Sequence, residues 1–392
     1  MNMKIAVVCA VNTEKNPGMV TVDRAAKEFF QGRDLDIDWL IAGLDEDQNP
    51  GVDDLSGFKS VFDEMGYPEK YERIIFWGDF LQSRVHHESL IQMIKKGGYA
   101  SDTESARRLL RDRLLFENAS PTTLEKVAIV GSTIHADGVE MLVDHGFRQA
   151  LSRLLAGARC IRMREPLSAY RASMLSGRDG TAGMDAAFLS IKKHSWNDEA
   201  KRRRSAGPVR IAVVGGRSDR SHGRKLKFAA LAALKAYERE GIKASIEVIP
   251  WLTGSLGKWG WFSVETQSQT RDPDYCLERL AACDALITDV YHAAINAWVH
   301  GIPVVLLGVG AEIDATAIKS KKKELLALSM FAGRNYVFYE NISYFRFREI
   351  GKKLVDIIRN EEQNKNIFAQ KERDVVWFSE KLVAEIDLPP QK

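Results

Sequence analysis

Short apolar runs separated by amphipathic stretches recur along this chain, and the series starts twice. The first set lies at residues 4–10, 37–41, 73–76 and 126–130, with a shorter run at 160–163. These runs are apolar throughout rather than alternating. That is the pattern of strands buried on both faces of a parallel sheet, with helices such as 22–30 and 139–155 covering it. A polar break follows at 192–208, KKHSWNDEAKRRRSAGP, with a basic run and then Gly-Pro. The pattern then restarts: strand 209–214, helix 228–241 ending in Gly241, strand 245–249, helix 274–283, and strands 285–288 and 304–307. The expectation is an α/β protein of two Rossmann-like domains with a cleft between them. The boundaries are 1–191 and 209–343, joined by a linker at 192–208. Highly charged helices at 344–360 and 369–386 close the chain within 344–392 and pack across the domain junction.

Length and composition limit the function classes. A chain of 392 residues supports two ordinary cores. Its net charge of +3 is too small to argue for nucleic acid. No stretch reaches the ~18 unbroken apolar residues of a membrane helix, and the first apolar run reads as a buried strand rather than a leader. The KRRR run reads as a solvated hinge, with peripheral contact to an anionic membrane surface as the lesser reading. Four scattered cysteines without CxxC spacing point to a reducing, cytoplasmic setting, and the eight histidines show no metal-ligand spacing.

The segment CDALITDVYHAAINAWVHGIPVVLLGVG, residues 283–310, carries the clearest chemical signal. A polar cluster, Thr288 to His292, separates a strand from a helix whose alanines and Trp298 recur at helical spacing. A second strand follows Gly301. Ligands of open parallel sheets bind outside the carboxyl ends of strands, so His292 stands at such an end near a helix N-terminus. After the strand at 209–214 comes VVGGRSDRSHGRK. Gly215 and Gly216 admit close approach, and Arg217, Arg220, His222, Arg224 and Lys225 crowd the entry to a helix. This is an anion site by its chemistry, or a solvated basic loop, and it is not a nucleotide signature. Gly308 and Gly310 admit a ligand against the backbone or form a turn.

The stretch TDVYHAAINAWVHGIPVVLLG resembles a segment of the polysaccharide pyruvyl transferase family, in which a strand ends in a short His-bearing turn, a helix follows, and Gly-x-Pro enters the next strand. CIRMREPLSAYRASML (160–175) and GMDAAFLS (183–190) are similar to two further blocks of that family, in the same order. The resemblance covers roughly residues 126–312. It implies two facing Rossmann-like domains of GT-B-like architecture. It also implies transfer of the carboxyvinyl group of phosphoenolpyruvate onto two sugar hydroxyls, giving a pyruvate ketal and phosphate. Phosphoenolpyruvate would be a co-substrate, with no cofactor and no metal. The resemblance places the general acid/base at His292, a donor-binding Arg at Arg164 and a ligand-contacting Ser at Ser168. From the residues alone, His292 is equally a helix-capping or carbonyl-bound histidine, Arg164 an ion-pair partner of Glu165, Ser168 a helix N-cap, and Asp185 a holder of loop amides. Two family cations are absent: Val290 stands in place of an Arg, and the segment 307–312 replaces a Tyr and a Lys. Arg217, Arg220 and Arg224, with Gly216, supply the replacement anion site.

The acceptor side is read from three further spots. Trp77-Gly78-Asp79 ends a first-domain strand, and Asp79 there is a candidate base or a turn residue. His135 follows the run 126–130. Trp259 and Trp261 lie in the Gly- and Trp-rich stretch 251–265 and suit either stacking on sugar rings or a contact between subunits of an oligomer. The partner expected is a sugar or polysaccharide precursor. A GT-B glycosyltransferase using a nucleotide sugar, and a noncatalytic glycan-binding relative, are the alternatives.

Overall fold

The structure is a computed structural model, and it describes residues 2–9, 16–42, 57–78, 83–134, 144–190, 207–215, 220–251, 272–308, 336–338 and 346–391. The chain divides into two compact units. One comprises Met1–Thr13, Thr21–Ser190 and Val375–Lys392; the other comprises Glu14–Val20 and Ile191–Asp374.

The first unit is built on β1 (Met3–Cys9), α1 (Pro17–Phe30), β2 (Leu35–Ile41), β3 (Lys59–Ser60), β4 (Arg73–Trp77), α2 (Arg84–Lys96), α3 (Thr103–Leu110), α4 (Pro121–Leu124), β5 (Val127–Ser132), α5 (His145–Gly157), β6 (Cys160–Met163) and α6 (Pro166–Ser176). The first turn of α1 groups with the second unit. The sheet order is β3-β2-β1-β4-β5-β6, every pairing parallel. Central β1 is fully buried from Ile5 to Cys9, which is why its sequence is apolar without alternation. Helix starts follow local chemistry. Asp144 Oδ1 accepts from Phe147 N at 3.0 Å to open α5, and Asp102 Oδ1 accepts from Ser105 N at 2.9 Å to open α3. Gly177 ends α6 in the left-handed region at φ 68°.

The second unit contains β7 (Val209–Val214), α7 (Arg220–Arg239), β8 (Ala244–Val248), α8 (Pro273–Ala281), β9 (Ala285–Thr288), α9 (Tyr291–Val299), β10 (Val304–Gly308), β11 (Tyr336–Phe338) and α10 (Arg346–Arg359). Its sheet order is β11-β10-β9-β7-β8, again all parallel. Ile211, Val213, Ile287, Val305 and Leu307 pack with Ala229, Ala233, Ile350 and Leu354 of α7 and α10. The intervening strand residues Ala212, Leu286 and Leu306 are also fully buried. Since successive side chains point to opposite faces, both faces of this sheet are covered. Gly351 lets α10 press on α7: a Cβ there would lie 2.4 Å from the Ala232 carbonyl oxygen.

The last helix, α11 (Glu361–Ile386), is shared, grouping with the second unit through Asp374 and with the first from Val375. Its end is fixed to the first unit by Arg162, which bonds Glu385, and by Arg73, whose Nη2 lies 2.7 Å from Asp387 Oδ2.

The α/β class with two parallel, Rossmann-like sheets is therefore the class observed. The strand runs read from sequence all become strands within a residue or two. The two-residue β3 and the short β11 were not foreseen, nor were α2 and α3. Most of the polar linker, residues 192–206, lies outside the described residues.

Candidate functional site

The second unit reverses its strand order beside β7. Helix α7 leads from β7 to β8 on one side, and α8 returns the chain to β9 on the other. Loops leaving adjacent strands at such a reversal diverge and leave a crevice at the carboxyl ends of the strands. Here those ends are Val214-Gly215 and Thr288. The Thr288 hydroxyl ties them together, donating to the Val214 carbonyl at 2.8 Å and accepting from Val290 N at 2.9 Å. Gly308 ends the neighbouring strand β10 on the same sheet edge.

His292 is the second residue of α9, immediately beyond this tie. It is 8% exposed. Its ring meets Tyr291 edge-on, centroids 5.5 Å apart. Its carbonyl accepts from Asn296 Nδ2 at 2.8 Å, one turn on. His292 does not cap the helix: the N-cap is Val290, which makes no side-chain bond, and Thr288 supplies the oxygen instead. Two helix N-termini, those of α7 and α9, start from the two loops of the crevice, and orphan N–H groups there favour an anion.

Gly216 and Arg217, which precede α7 in sequence, lie outside the described residues, as do Asp79, His135, Trp259, Trp261 and Gly310. Arg220 and Arg224 lie in the first two turns of α7.

In the first unit the expectations need three corrections. Trp77 is not an acceptor platform. It is fully buried, donates from Nε1 to the Val22 carbonyl at 2.9 Å, and packs against Phe29 and Phe30 with centroids 5.2 and 5.5 Å away. Arg164 is not an open anion clamp. Its side chain is 4% exposed and faces Asp185, 1% exposed, at 3.7 Å. Its expected partner Glu165 instead caps α6, accepting from Leu167 N and Ser168 N at 2.7 and 3.1 Å. Ser168 is not the cap either. Its hydroxyl accepts from Ile134 N at 3.0 Å and donates to Glu165. Asp185 does hold a backbone amide, accepting from Ala187 N, in a short 3-10 turn, at 3.0 Å.

Thr288 and Asn296 were not foreseen as supports of His292. Their partners are backbone atoms on a neighbouring strand, two residues on, or one turn away, and only Thr288's place after an apolar run hinted at a role. All four cysteines carry free, buried thiols. Burial pushes those of Cys160, Cys276 and Cys283 up to about 12. Among the described residues there is no cluster of three or more metal-ligating side chains, and no helix long and apolar enough to cross a membrane.

No family model matches the chain, and no curated protein matches it in sequence. Among solved structures it is similar to a UDP-GlcNAc 2-epimerase from Methanocaldococcus jannaschii, with a TM-score of 0.47 and 10% identity over 92% of this chain and 93% of that one. S. aureus MnaA, solved with UDP, has a TM-score of 0.47 and 10% identity over 98% and 95% of the two chains. The E. coli heptosyltransferase WaaC has a TM-score of 0.34 and 11% identity over 90% and 99%. These likenesses are of fold.

Proposed function

We propose that the chain is a transferase that moves the carboxyvinyl group of phosphoenolpyruvate onto two hydroxyls of a sugar, forming a pyruvate ketal. The observation that carries this reading is His292 at the strand-order reversal of the second unit, four residues after Thr288, whose hydroxyl bonds the end of the strand that precedes Arg217. The donor has a phosphate and a carboxylate, and both suit helix N-termini and arginines.

In the first step a sugar hydroxyl oxygen bonds to C2 of phosphoenolpyruvate while C3 takes a proton and becomes a methyl group. His292, as imidazolium, gives that proton, and as imidazole it takes the hydroxyl proton. In the second step the imidazolium gives its proton to the phosphate oxygen as the C2–O bond to phosphate breaks, the second hydroxyl oxygen bonds to C2, and the imidazole so formed takes that hydroxyl's proton. The test is release of inorganic phosphate from phosphoenolpyruvate across a panel of sugar acceptors. Turnover that is lost in His292→Ala supports the reading; turnover that persists in His292→Ala contradicts the role of His292.

A second reading is favoured by Val290, an apolar N-cap where the pyruvyl transferases place a cation. It makes the chain a glycosyltransferase using a nucleotide sugar, the diphosphate resting on the same basic loop. A ligand that binds only the folded chain raises its melting temperature. Thermal shift by nucleotide sugars and not by phosphoenolpyruvate would therefore select this reading.

A further inference from the structure

Glycine is among the poorest helix formers, yet Gly18 occupies the first turn of α1. Its backbone is not left-handed, so conformation does not require glycine there. Capping does not require it either. Asn16 performs that task, its Oδ1 accepting from Gly18 N at 3.0 Å and its carbonyl from Met19 N and Val20 N at 3.0 and 3.1 Å. What sets position 18 apart is the group it faces. A Cβ on residue 18 would lie 2.3 Å from His292 Cβ, 2.7 Å from Cγ and 3.1 Å from Nδ1. Residues Glu14–Val20 group with the second unit, so this packing is internal to the unit that carries the crevice.

Rotating the imidazole does not relieve such an overlap, because His292 Cβ is itself in the way. Either the first turn of α1 or the start of α9 has to move. The contact lies along the Cβ–Cγ–Nδ1 edge of the side chain. We propose that Gly18 is a positioning residue, a bare stretch of backbone that fixes the imidazole of His292 for proton transfer. The catalytic part of this statement rests on the function proposed above; the positioning part does not.

The test uses the full chain with histidine imidazoles labelled for NMR, His292 being assigned with His292→Gln. In Gly18→Ala the His292 ring resonances are expected to move while the chain stays folded. Relieving a 2.3 Å approach requires a displacement of about 1 Å, and a misplacement of that size lowers kcat by about a hundredfold with KM little changed. Unmoved His292 resonances in folded Gly18→Ala overturn the proposal, whatever the activity. Moved resonances in a chain whose wild type releases no phosphate from phosphoenolpyruvate uphold the positioning and defeat the function instead. A second comparison holds even if Gly18→Ala folds poorly. His292→Gly removes the opposing Cβ, so Gly18→Ala is expected to lower the melting temperature next to His292 and not next to His292→Gly. Equal losses in both backgrounds overturn the proposal.

Discussion

Replacing Thr288 with valine keeps the shape of the side chain and removes one oxygen. Thr288 is fully buried, and that oxygen serves two backbone groups, the Val214 carbonyl and Val290 N–H. Each bond contributes about 1 kcal/mol net, and a buried group left without its partner costs about 1–3 kcal/mol, so the expected loss is about 2–4 kcal/mol. The loss falls on the connection from β9 to α9, the piece of backbone that carries His292. Local opening there becomes easier by the same amount. At about 1.4 kcal/mol per tenfold, amide exchange at Val290 and the first turn of α9 accelerates roughly thirtyfold to several hundredfold. Thr288→Ser keeps the oxygen and loses a methyl group, about 1 kcal/mol, and accelerates exchange less than about tenfold. Hydrogen–deuterium exchange on the full chain reads both variants, without assuming that the two units unfold together. Exchange in Thr288→Val close to that of the wild type, or equal acceleration in the serine and valine variants, refutes the tie.

Two further outcomes follow from the first unit and the thiols. Burial pushes the Glu385 carboxyl up, but the hydrogen bonds from Arg162 and Cys160 and the charges of Arg162 and Lys381 outweigh it and hold the group below its usual range. Its contribution is therefore present above the unfolded value of about 4.3 and is lost as pH falls through the lower folded value. The wild type should lose stability in that acid window more steeply than Glu385→Gln, by roughly 1 kcal/mol after solvent screening, and parallel pH–melting curves would contradict the Arg162–Glu385 contact. Burial first, and neighbouring carboxylates second, raise all four thiols, that of Cys9 through Asp23. A thiol reagent at mildly alkaline pH should find no rapidly reacting cysteine until denaturant is added, and one fast equivalent would contradict their burial.

The fold was legible because strands covered on both faces leave continuous apolar runs, and β1 and β7 show this plainly. Strand β3, Lys59–Ser60, is too short to leave any pattern. Trp77 was misread because the Gly-Asp after it resembles a cleft edge. Its burial is decided by Phe29 and Phe30, some fifty positions away on α1. The pairing of Arg164 was misread for a similar reason. Glu165 is adjacent in sequence, but an extended residue just before a helix turns its carboxylate onto the N–H groups of that helix. That leaves Asp185, brought in by the loop after α6, to meet the guanidinium. His292 was placed correctly at a strand end, because strand, polar turn and helix follow one another within ten residues. The contact with Gly18 was invisible, since it joins residues 274 positions apart.

The proposed transfer requires the imidazole of His292 to meet the donor. The most direct measurement is a titration of phosphoenolpyruvate into the imidazole-labelled full chain, followed by NMR. The account predicts that the His292 resonances move saturably while those of His87 and His145, in the first unit, stay in place. An unmoved His292 at a concentration of phosphoenolpyruvate that saturates the protein's thermal shift would contradict it.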